Sequence, residues 1–423
     1  MCGNSRESDR LPPRHTLNHG LKKCLVVRCG EEWYLVTEAT VVHTTISQST
    51  EAGRALGTQI ATAFDGRPAD AVIVFASPMH NYTDLLQALW KECEPRLIVG
   101  CSSAGEFTTD LHSEGATCAV ALRSSDMTFT AALGRGLRED CTAAAAELVG
   151  QFRGMGDLKY RYRTALVLTD ALAGYADRLV ELLTRFTAGR YQFFGGGAAD
   201  DARFERTHVF FGTEALSDAV VALEILSNKP LGIGVGHGWR PASRIMRVTE
   251  AYGMRLVSLD AAPAVEAFEE HAAATGQVFN PADPLPFFLH NVLGIDAGGE
   301  YRLRVPLSIQ PEGSIVCAAD VPAGTTACIM GATSVSAIEA AEHAVRAALA
   351  QLGGLEPEVS LFFDCAATRL RLGKEFGAEL GSVRRALGTA QFAGCNTYGQ
   401  IARARGQFNG FHNCTAVVCV IPK

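Results

Sequence analysis

Three segments of this 423-residue chain repeat one order of apolar runs and turns, and this repetition limits the possible folds more than any single motif. In each segment, an apolar run leads through a helix-like stretch to a second run that ends in glycine. A polar turn and a third apolar run follow. The spacing of the copies is too irregular for a solenoid, so the pattern predicts one supersecondary unit used three times. The runs are residues 72–76, 97–100 and 118–122, then 165–170, 193–197 and 220–225, then 361–365, 392–395 and 416–421.

The alternation of strand-like and helix-like stretches predicts an α/β fold of the mixed α+β kind. We expect repeated strand–helix–strand–strand units of one connectivity, arranged in two domains, with mixed sheets flanked by helices and the glycine turns at one end of their sheets. The predicted order is a disordered lead-in at 1–23, an internally duplicated N-terminal domain at 24–270, a linker or covering loop at 271–300, and a C-terminal domain at 301–423.

Composition and charge exclude several classes of protein. An apolar fraction of 48% and a charged fraction of 20% are typical of globular proteins. A net charge of -7 argues against a general electrostatic grip on nucleic acid or anionic membrane. No apolar run approaches the ~20 residues that a membrane-spanning helix needs, and the first 20 residues lack the apolar core of a secretion signal. We therefore expect a cytoplasmic protein with neither a nucleic-acid nor a membrane partner.

The 13 cysteines do not indicate a disulfide scaffold. Their number is odd, no C-x-x-C pair occurs, and most lie within apolar runs. Reduced thiols that pack as small apolar side chains are the interpretation that suits a cytoplasmic chain.

The stretch 231–241 (LGIGVGHGWRP) is the most concentrated candidate site. Alternating glycines in a strand either let another backbone approach or leave room for a ligand. An imidazole between two glycines could be a metal or haem ligand, a proton carrier or a hydrogen-bonded structural group, and a neighbouring arginine could pair with a carboxylate or propionate. The predicted ligand-binding residues are Gly236, His237, Gly238, Trp239 and Arg240.

The glycine turns supply a second set of pocket candidates: Cys101, Glu106, Asp200 and Tyr398. Such turns can bind anions through their backbone, yet none has the G-x-G-x-x-G or P-loop spacing. The turn at 100–105 also fails the G-x-S-x-G pattern of a nucleophile elbow. Solvated turn residues and buried packing remain alternatives. Since no complete catalytic constellation is visible, we expect a protein that is not an enzyme; an enzyme using Cys101 or His237 is the rival hypothesis.

A series of short motifs follows one order along the chain: GCSSAGE at 100–106, FGGGAAD at 194–200, GHGWRP at 236–241, VTEA at 248–251, DAAPA at 260–264, FDCAA at 363–367, GCNTYGQI at 394–401 and FHNCT at 411–415. In the order of these motifs the chain resembles the FIST family, whose members combine an N-terminal and a C-terminal FIST domain. The resemblance extends over roughly residues 24–422. One residue departs from the family pattern, because Gln400 stands where a Y-G-E-I motif would have glutamate.

The resemblance implies a small-ligand sensor in bacterial signal transduction, and amino acids have been proposed as ligands for the family. It also implies, through the haem-binding NosP subgroup, a nitric oxide sensor that acts on a histidine kinase. His237 would then be the axial ligand of the haem iron. A partner signalling protein and a homodimer are the expected assemblies, and a sensor of another small metabolite without haem is the alternative.

Overall fold

The computed structural model describes residues 26–29, 32–157, 159–404 and 410–423, and the predicted lead-in at 1–23 lies outside them. The first described strands, β1 (Val26–Cys29) and β2 (Glu32–Leu35), form an antiparallel pair. The first repeat then contains β3 (Thr37–Thr44), α1 (Ser49–Ala63), β4 (Ala71–Ala76), α2 (Tyr82–Cys93), β5 (Ile98–Ser102), β6 (Glu106–Thr108), β7 (His112–Ser113) and β8 (Thr117–Ser124).

The second repeat has the same order of elements. It consists of β9 (Met127–Arg135), α3 (Leu137–Gly150), β10 (Tyr162–Thr169), α4 (Ala176–Phe186), β11 (Gln192–Gly197), β12 (Val209–Phe211), β13 (Glu214–Leu216) and β14 (Ala219–Ser227).

The third repeat begins with β15 (Gly232–Gly236) and is interrupted by an insert that forms a sheet of its own. The insert contains β16 (Arg240–Pro241), β17 (Met246–Tyr252), β18 (Arg255–Leu259), β19 (Ala262–Pro263), α5 (Ala264–Thr275), α6 (Leu285–Phe288), β20 (Asn291–Asp296), β21 (Tyr301–Arg304), β22 (Pro306–Ile309), β23 (Ile315–Cys317) and β24 (Thr326–Gly331).

After the insert, the third repeat resumes and ends the chain. Its remaining elements are α7 (Ser334–Gln351), β25 (Pro357–Cys365), α8 (Ala366–Leu372), α9 (Phe376–Leu387), β26 (Gln391–Thr397), β27 (Gln400–Arg403), β28 (Gly410–His412) and β29 (Ala416–Pro422). The α/β class and the threefold use of one unit are thus confirmed. The repeat is longer than the sequence suggested, since a strand and a helix precede each predicted unit.

The three repeats build three six-stranded sheets with one strand order: β13-β12-β5-β4-β8-β3, β28-β27-β11-β10-β14-β9 and β7-β6-β26-β25-β29-β15. Each centre is a parallel pair, joined by a crossover helix as parallel strands require. The edge hairpin always comes from another repeat: β6-β7 completes the third sheet, β12-β13 the first and β27-β28 the second. The repeats are therefore joined in a cycle. The domain boundaries at 270 and 301 stay a prediction, and strand pairing crosses them.

The inner faces of the three sheets share one apolar core. The ring of Phe363 lies 5.6 Å from that of Phe75 and 6.2 Å from that of Phe194, so side chains of all three sheets meet. The helices cover the outer faces and bury separate apolar clusters there. Among the described residues, no helix is both long and apolar enough to cross a membrane.

A buried ion pair ties the insert to the second repeat. Nη2 of Arg304, on β21, donates to both carboxylate oxygens of Asp177, on α4, at 2.9 and 2.8 Å. The remaining guanidinium nitrogens donate to the backbone carbonyls of Leu303, Asp320 and Phe411. A buried arginine is tolerated only with such complete pairing, so this contact fixes the insert over the end of the second sheet.

The glycine row that begins in β15 packs directly on α7. Cβ atoms built on Gly232, Gly234, Gly236 and Gly238 would lie only 1.7 to 2.5 Å from the carbonyl oxygens of Ala348, Ala344, Ala340 and Ser336, respectively. Two strand residues rise ~7 Å and four helix residues ~6 Å, so each successive glycine of the row meets the next turn of the helix. Of the two uses that the sequence allowed for these glycines, the structure shows the close approach of another backbone.

We predict that Gly234→Ala lowers the free energy of unfolding by ~1–3 kcal/mol or more, because the new methyl group would overlap a backbone oxygen that cannot rotate away. Urea denaturation measures the loss. Gly377→Ala in α9 is the matched control, since the space there is open: no neighbouring side chain or packed backbone among the described residues lies within 4 Å of a Cβ at this position. It should be neutral or stabilising by up to ~1 kcal/mol. Equal stability of the two variants would contradict the packing described here.

Candidate functional site

His237 lies in a packed, polar interior. Its Nδ1 accepts the backbone N–H of Trp239 at 3.3 Å, and the ring also bonds to the backbone of Tyr301. Burial lowers the pKa of the imidazole, so the neutral form is favoured. The cavity beside it measures about 10 Å³, room for no more than one water, and is also lined by Asp364, Arg371 and Glu379.

A haem does not fit beside His237 in this structure. The cavity is far too small for a porphyrin, α7 occupies the space next to the glycines, and both hydrogen bonds of the ring are internal. Trp239 is buried under the guanidinium of Arg371, 5.2 Å from the ring centroid, while Arg240 is exposed on β16. Gly236, Gly238 and Trp239 thus take part in the packing between β15, α7 and the insert, whereas Arg240 faces solvent. The ligand-binding role predicted for the five residues around His237, like haem binding, stays a prediction.

The other predicted residues meet where the strands of the three sheets end. Ala104 and Ala199, from the first two glycine turns, pack with Ala366 and Tyr398 of the third repeat. The backbone N–H of Ala104 donates to Asn396, and that of Ala199 donates to Ser102, so the three turns are hydrogen-bonded to one another. The expected gathering of the turns at one end of the sheets is confirmed.

A buried acidic cluster occupies this junction. Glu106 accepts the Ser103 hydroxyl and, at 3.0 Å, the backbone N–H of Ala116; desolvation raises the pKa of its carboxyl to about 8. Within the described part of the chain, Asp201 Oδ1 and Asn396 Oδ1 have no hydrogen-bond partner. Each such atom costs ~1–3 kcal/mol. The cluster is therefore maintained at the expense of stability, which is typical of functional sites.

Asp200 and Tyr398, predicted separately, are hydrogen-bonded to each other. The phenol of Tyr398 donates to Asp200 Oδ1 at 2.5 Å, and its ring stacks on Phe204 at 4.6 Å. The Asp200 carboxylate also accepts the backbone N–H groups of Phe204, Glu205 and Arg206 at 2.8 to 2.9 Å. Residues 200–206 are thus wrapped around one carboxylate that Tyr398 orients.

An apolar cavity of about 180 Å³ lies between the turns and the insert. Leu172 and Phe204 of the second repeat form one side, and Tyr398 of the third repeat another. The insert closes it with Leu285 and Ala318, so the predicted covering segment 271–300 does border a cavity, through α6. Small-molecule sites are commonly apolar cavities of this kind with a few polar groups.

A polar, solvent-facing cleft of about 400 Å³ lies on the other side of Asp200. Arg203, Arg206, His80 and His208 line it with Asp200 itself. Because Tyr398 borders the apolar cavity and Asp200 borders this cleft, their hydrogen bond connects an interior cavity with the protein surface.

The cysteines divide into two kinds. Cys101, a predicted site residue, is fully buried in the common core and shares a hydrogen bond with Cys395, so the structure shows it packed away from both cavities, and its predicted site role stays a prediction. Cys365, which the sequence analysis overlooked, lines the apolar cavity and has a pKa lowered to about 6, with the thiol of Cys414 as the main cause. A signal for it existed: Cys365 ends its apolar run where Asp170 ends the corresponding run of the second repeat.

Comparison with known proteins now decides the family. Family models match the FIST N domain over residues 70–262 and the FIST C domain over residues 264–403. The chain belongs to the FIST family. FIST domains are associated with sensing small ligands in signal transduction, so the resemblance seen in the sequence is confirmed at that level.

Other comparisons add little about function. A search of curated proteins found no match. The chain is similar to the crystal structure of cyanuric acid hydrolase from A. caulinodans, with 8% identity and a TM-score of 0.31 over 92% of this chain and 99% of that chain. That likeness is too weak to support an argument about activity.

We predict that Glu106 makes the stability of this FIST protein depend on pH. The folded state keeps the carboxyl protonated up to about pH 8, whereas its reference pKa is 4.5. Between these values unfolding releases a proton, so stability falls as pH rises, by up to about 1.4 kcal/mol per pH unit. Urea midpoints from pH 5 to pH 8 should fall more steeply for the wild type than for Glu106→Gln. Parallel curves would show that Glu106 ionises normally.

Proposed function

We propose that this FIST protein senses a small ligand in the apolar cavity and reports it through residues 200–206 at the polar cleft. The observation that carries the proposal is the hydrogen bond between Tyr398, which lines the cavity, and Asp200, which lines the cleft. A ligand that displaces the Tyr398 ring would remove one support of the Asp200 carboxylate, and that carboxylate holds the cleft-lining loop.

The loop is suited to such a response because its backbone is strained. Asp201, Ala202 and Phe204 have φ angles of 55°, 60° and 56°, in the left-handed region. Each non-glycine residue there costs ~1–2 kcal/mol. The three backbone bonds to Asp200 offset this cost, so weakening them favours another loop conformation. A ligand shifts such an equilibrium by its difference in affinity for the two states.

The lining indicates what kind of ligand the cavity accepts. Most of it is aliphatic or aromatic, and the polar groups are few: Tyr398, Thr397, Asn413 and the thiols of Cys365 and Cys317. We propose a compact, largely apolar molecule with one polar end. The resemblance implies amino acids as a ligand class, and an apolar amino acid meets this description, whereas a haem is larger than the cavity.

The output is proposed to be a surface that a signalling protein recognises. A histidine kinase is the partner class that the resemblance implies. The exposed Arg203, Glu205 and Arg206 would place their charges at different positions on the surface in the two loop states. A sensor is favoured over an enzyme by the sensory character of the family. Pull-down with and without ligand tests this step, and identical partner sets in both conditions would count against it.

We predict that filling the cavity abolishes ligand binding. A thermal-shift panel of amino acids and small aromatics such as indole should identify molecules that raise the melting temperature of the wild type. Ala318→Leu places a larger side chain in the lining and should remove the shift, while Ala386→Leu, a partly buried alanine of α9 outside the cavity, should retain it. A shift that survives in Ala318→Leu would place the ligand elsewhere.

The same ligand should alter the loop through Tyr398. Hydrogen exchange at the amides of Phe204, Glu205 and Arg206 should change on ligand addition in the wild type. Tyr398→Phe keeps the stacked ring but loses the bond to Asp200, so its exchange should be fast with or without ligand. An unchanged response in Tyr398→Phe would exclude this route.

A separate experiment tests the haem hypothesis. Given the packing around His237, we expect that purified protein mixed with haem shows no Soret band that depends on His237. A band lost in His237→Ala would contradict this expectation and restore the nitric oxide sensor with His237 as axial ligand. A band unchanged in His237→Ala would keep haem but assign it to another residue.

A further inference from the structure

One position at the end of the first parallel strand is equivalent in the three repeats: Ser77, Asp170 and Cys365. Strand register aligns them. Ser77 and Asp170 directly follow the last residue that pairs with the parallel neighbouring strand, and Cys365 is itself the last paired residue. Each accepts the backbone N–H two residues further on. Met79 donates to Ser77 Oγ at 3.4 Å and Leu172 to Asp170 Oδ1 at 3.1 Å, and Ala367 bonds to the Cys365 sulfur.

The second and third repeats also share a second backbone donor. The turn before the last strand has a residue with positive φ in every repeat, namely Gly115, Asp218 and Cys414. The N–H of Asp218 donates to Asp170 Oδ2 at 2.5 Å, and the backbone of Cys414 bonds to Cys365. Convergent N–H groups of this kind form an anion site. In the second repeat they hold a carboxylate, and in the third they hold a sulfur.

Two side chains complete the environment of the Cys365 sulfur. The thiol of Cys414 and the amide of Gln400 both bond to it, and together these contacts lower its pKa to about 6 although burial acts in the opposite direction. Gln400 is the residue that departs from the Y-G-E-I motif. A glutamate here would replace a donor by a negative charge, so the glutamine suits a thiolate neighbour.

The charged surroundings do not oppose a thiolate. Burial raises the pKa of the adjacent Asp364 carboxyl well above its usual range, as it does for Glu379, so both favour the neutral form. Arg371 contributes a positive charge, and the pKa of Cys414 is raised. Cys365 is 4% exposed and lines the apolar cavity, so the cavity is the route by which a small molecule would reach it.

We propose that Cys365 is a reactive thiolate for small organic hydroperoxides that enter the apolar cavity, and that Cys414 is its resolving thiol. The thiolate attacks the terminal oxygen, the O–O bond breaks, and the alcohol leaves with a proton from the medium. Cys365 becomes a sulfenic acid. The Cys414 sulfur then attacks it, forming the disulfide and releasing water. The hydroperoxide is reduced by two electrons and the two thiols are oxidised. This inference rests on the proposed function, because it names a ligand class for the same cavity.

The chain contains its own negative control. Cys101 and Cys395 are also hydrogen-bonded thiols, but both are fully buried in the common core and the pKa of Cys395 is raised well above its usual range. If the proximity of two thiols were sufficient for oxidation by the hydroperoxide, both cysteine pairs would be oxidised. If oxidation requires a thiolate that is accessible from the cavity, only Cys365 and Cys414 would be oxidised.

The lowered pKa of Cys365 decides the pH of the experiment. The contacts that lower it keep a larger fraction of Cys365 as thiolate in mildly acidic buffer than of an ordinary thiol, whose pKa is ~8.5. Nucleophilicity falls as the pKa falls, which offsets part of this gain. Because ordinary thiols lose their thiolate form first as the pH falls, a buffer at pH 6 separates Cys365 from them better than one at pH 7.

The test treats the full-length protein at pH 6 with tert-butyl hydroperoxide and maps disulfides by mass spectrometry. We expect a Cys365–Cys414 disulfide, reversible by dithiothreitol, and reduced Cys101 and Cys395. In Cys414→Ser, dimedone should trap a sulfenic acid at Cys365. Gln400→Glu should slow oxidation at pH 6 by about tenfold or more and shift its pH profile upward. The wild type alone can overturn the proposal: it is wrong if Cys365 stays reduced after treatment, or if both cysteine pairs are oxidised equally.

The two proposals fail separately. If Cys365→Ser retains the thermal shift of a panel ligand, the sensing cavity stands whatever the outcome of the oxidation. If the disulfide forms in Ala318→Leu as fast as in the wild type, the hydroperoxide does not enter through the apolar cavity, and that part of the inference is wrong. Circular dichroism of each variant establishes that it is folded.

Discussion

The backbone hydrogen bonds by which each repeat completes the sheet of another repeat hold this structure together. Phe210 pairs with Gly100, Ile401 with Gly195 and Phe107 with Gly394, so every cross-repeat ladder runs along a strand whose glycine faces the incoming hairpin. A side chain at Gly100 or Gly394 would meet both a neighbouring backbone oxygen and the aromatic ring of the hairpin residue. These glycines therefore allow the exchange, and the exchange brings the three turns to one place.

The junction of the turns then sets the chemistry that the protein can offer. Burial of Glu106 favours its neutral form, Asp200 is surrounded by donors, and the sulfur of Cys365 receives contacts that its counterpart Asp170 receives as a carboxylate. Equivalent backbone positions thus carry different side chains in the three repeats. Because the side chains differ between the repeats, the polar interior of the site is asymmetric. The insert adds an apolar cover on one side of it.

The hypotheses about sensing and oxidation share one physical basis. Tyr398 and Cys365 both line the cavity, and each is hydrogen-bonded to a partner that belongs to a neighbouring turn, Asp200 for Tyr398 and Cys414 for Cys365. A molecule in the cavity therefore contacts the turns by which the repeats are joined. In a fold whose repeats depend on one another for their sheet edges, a change at this junction reaches more than one repeat.

The sequence by itself determined the repeated unit, the α/β class and the family, because apolar runs, glycine positions and motif order are local properties of the chain. It also indicated Glu106, Asp200 and Tyr398, since polar residues after strand-ending glycines lie at sheet ends. Only the tertiary structure decided how the glycine row at Gly232 to Gly238 is used. A row without side chains admits a ligand or a helix equally, and the helix that fills it lies about a hundred residues further on. For the same reason the partnership of Cys365 with Cys414 could not be foreseen, because hydrogen-bond donors converge on a sulfur only after distant turns have been folded together.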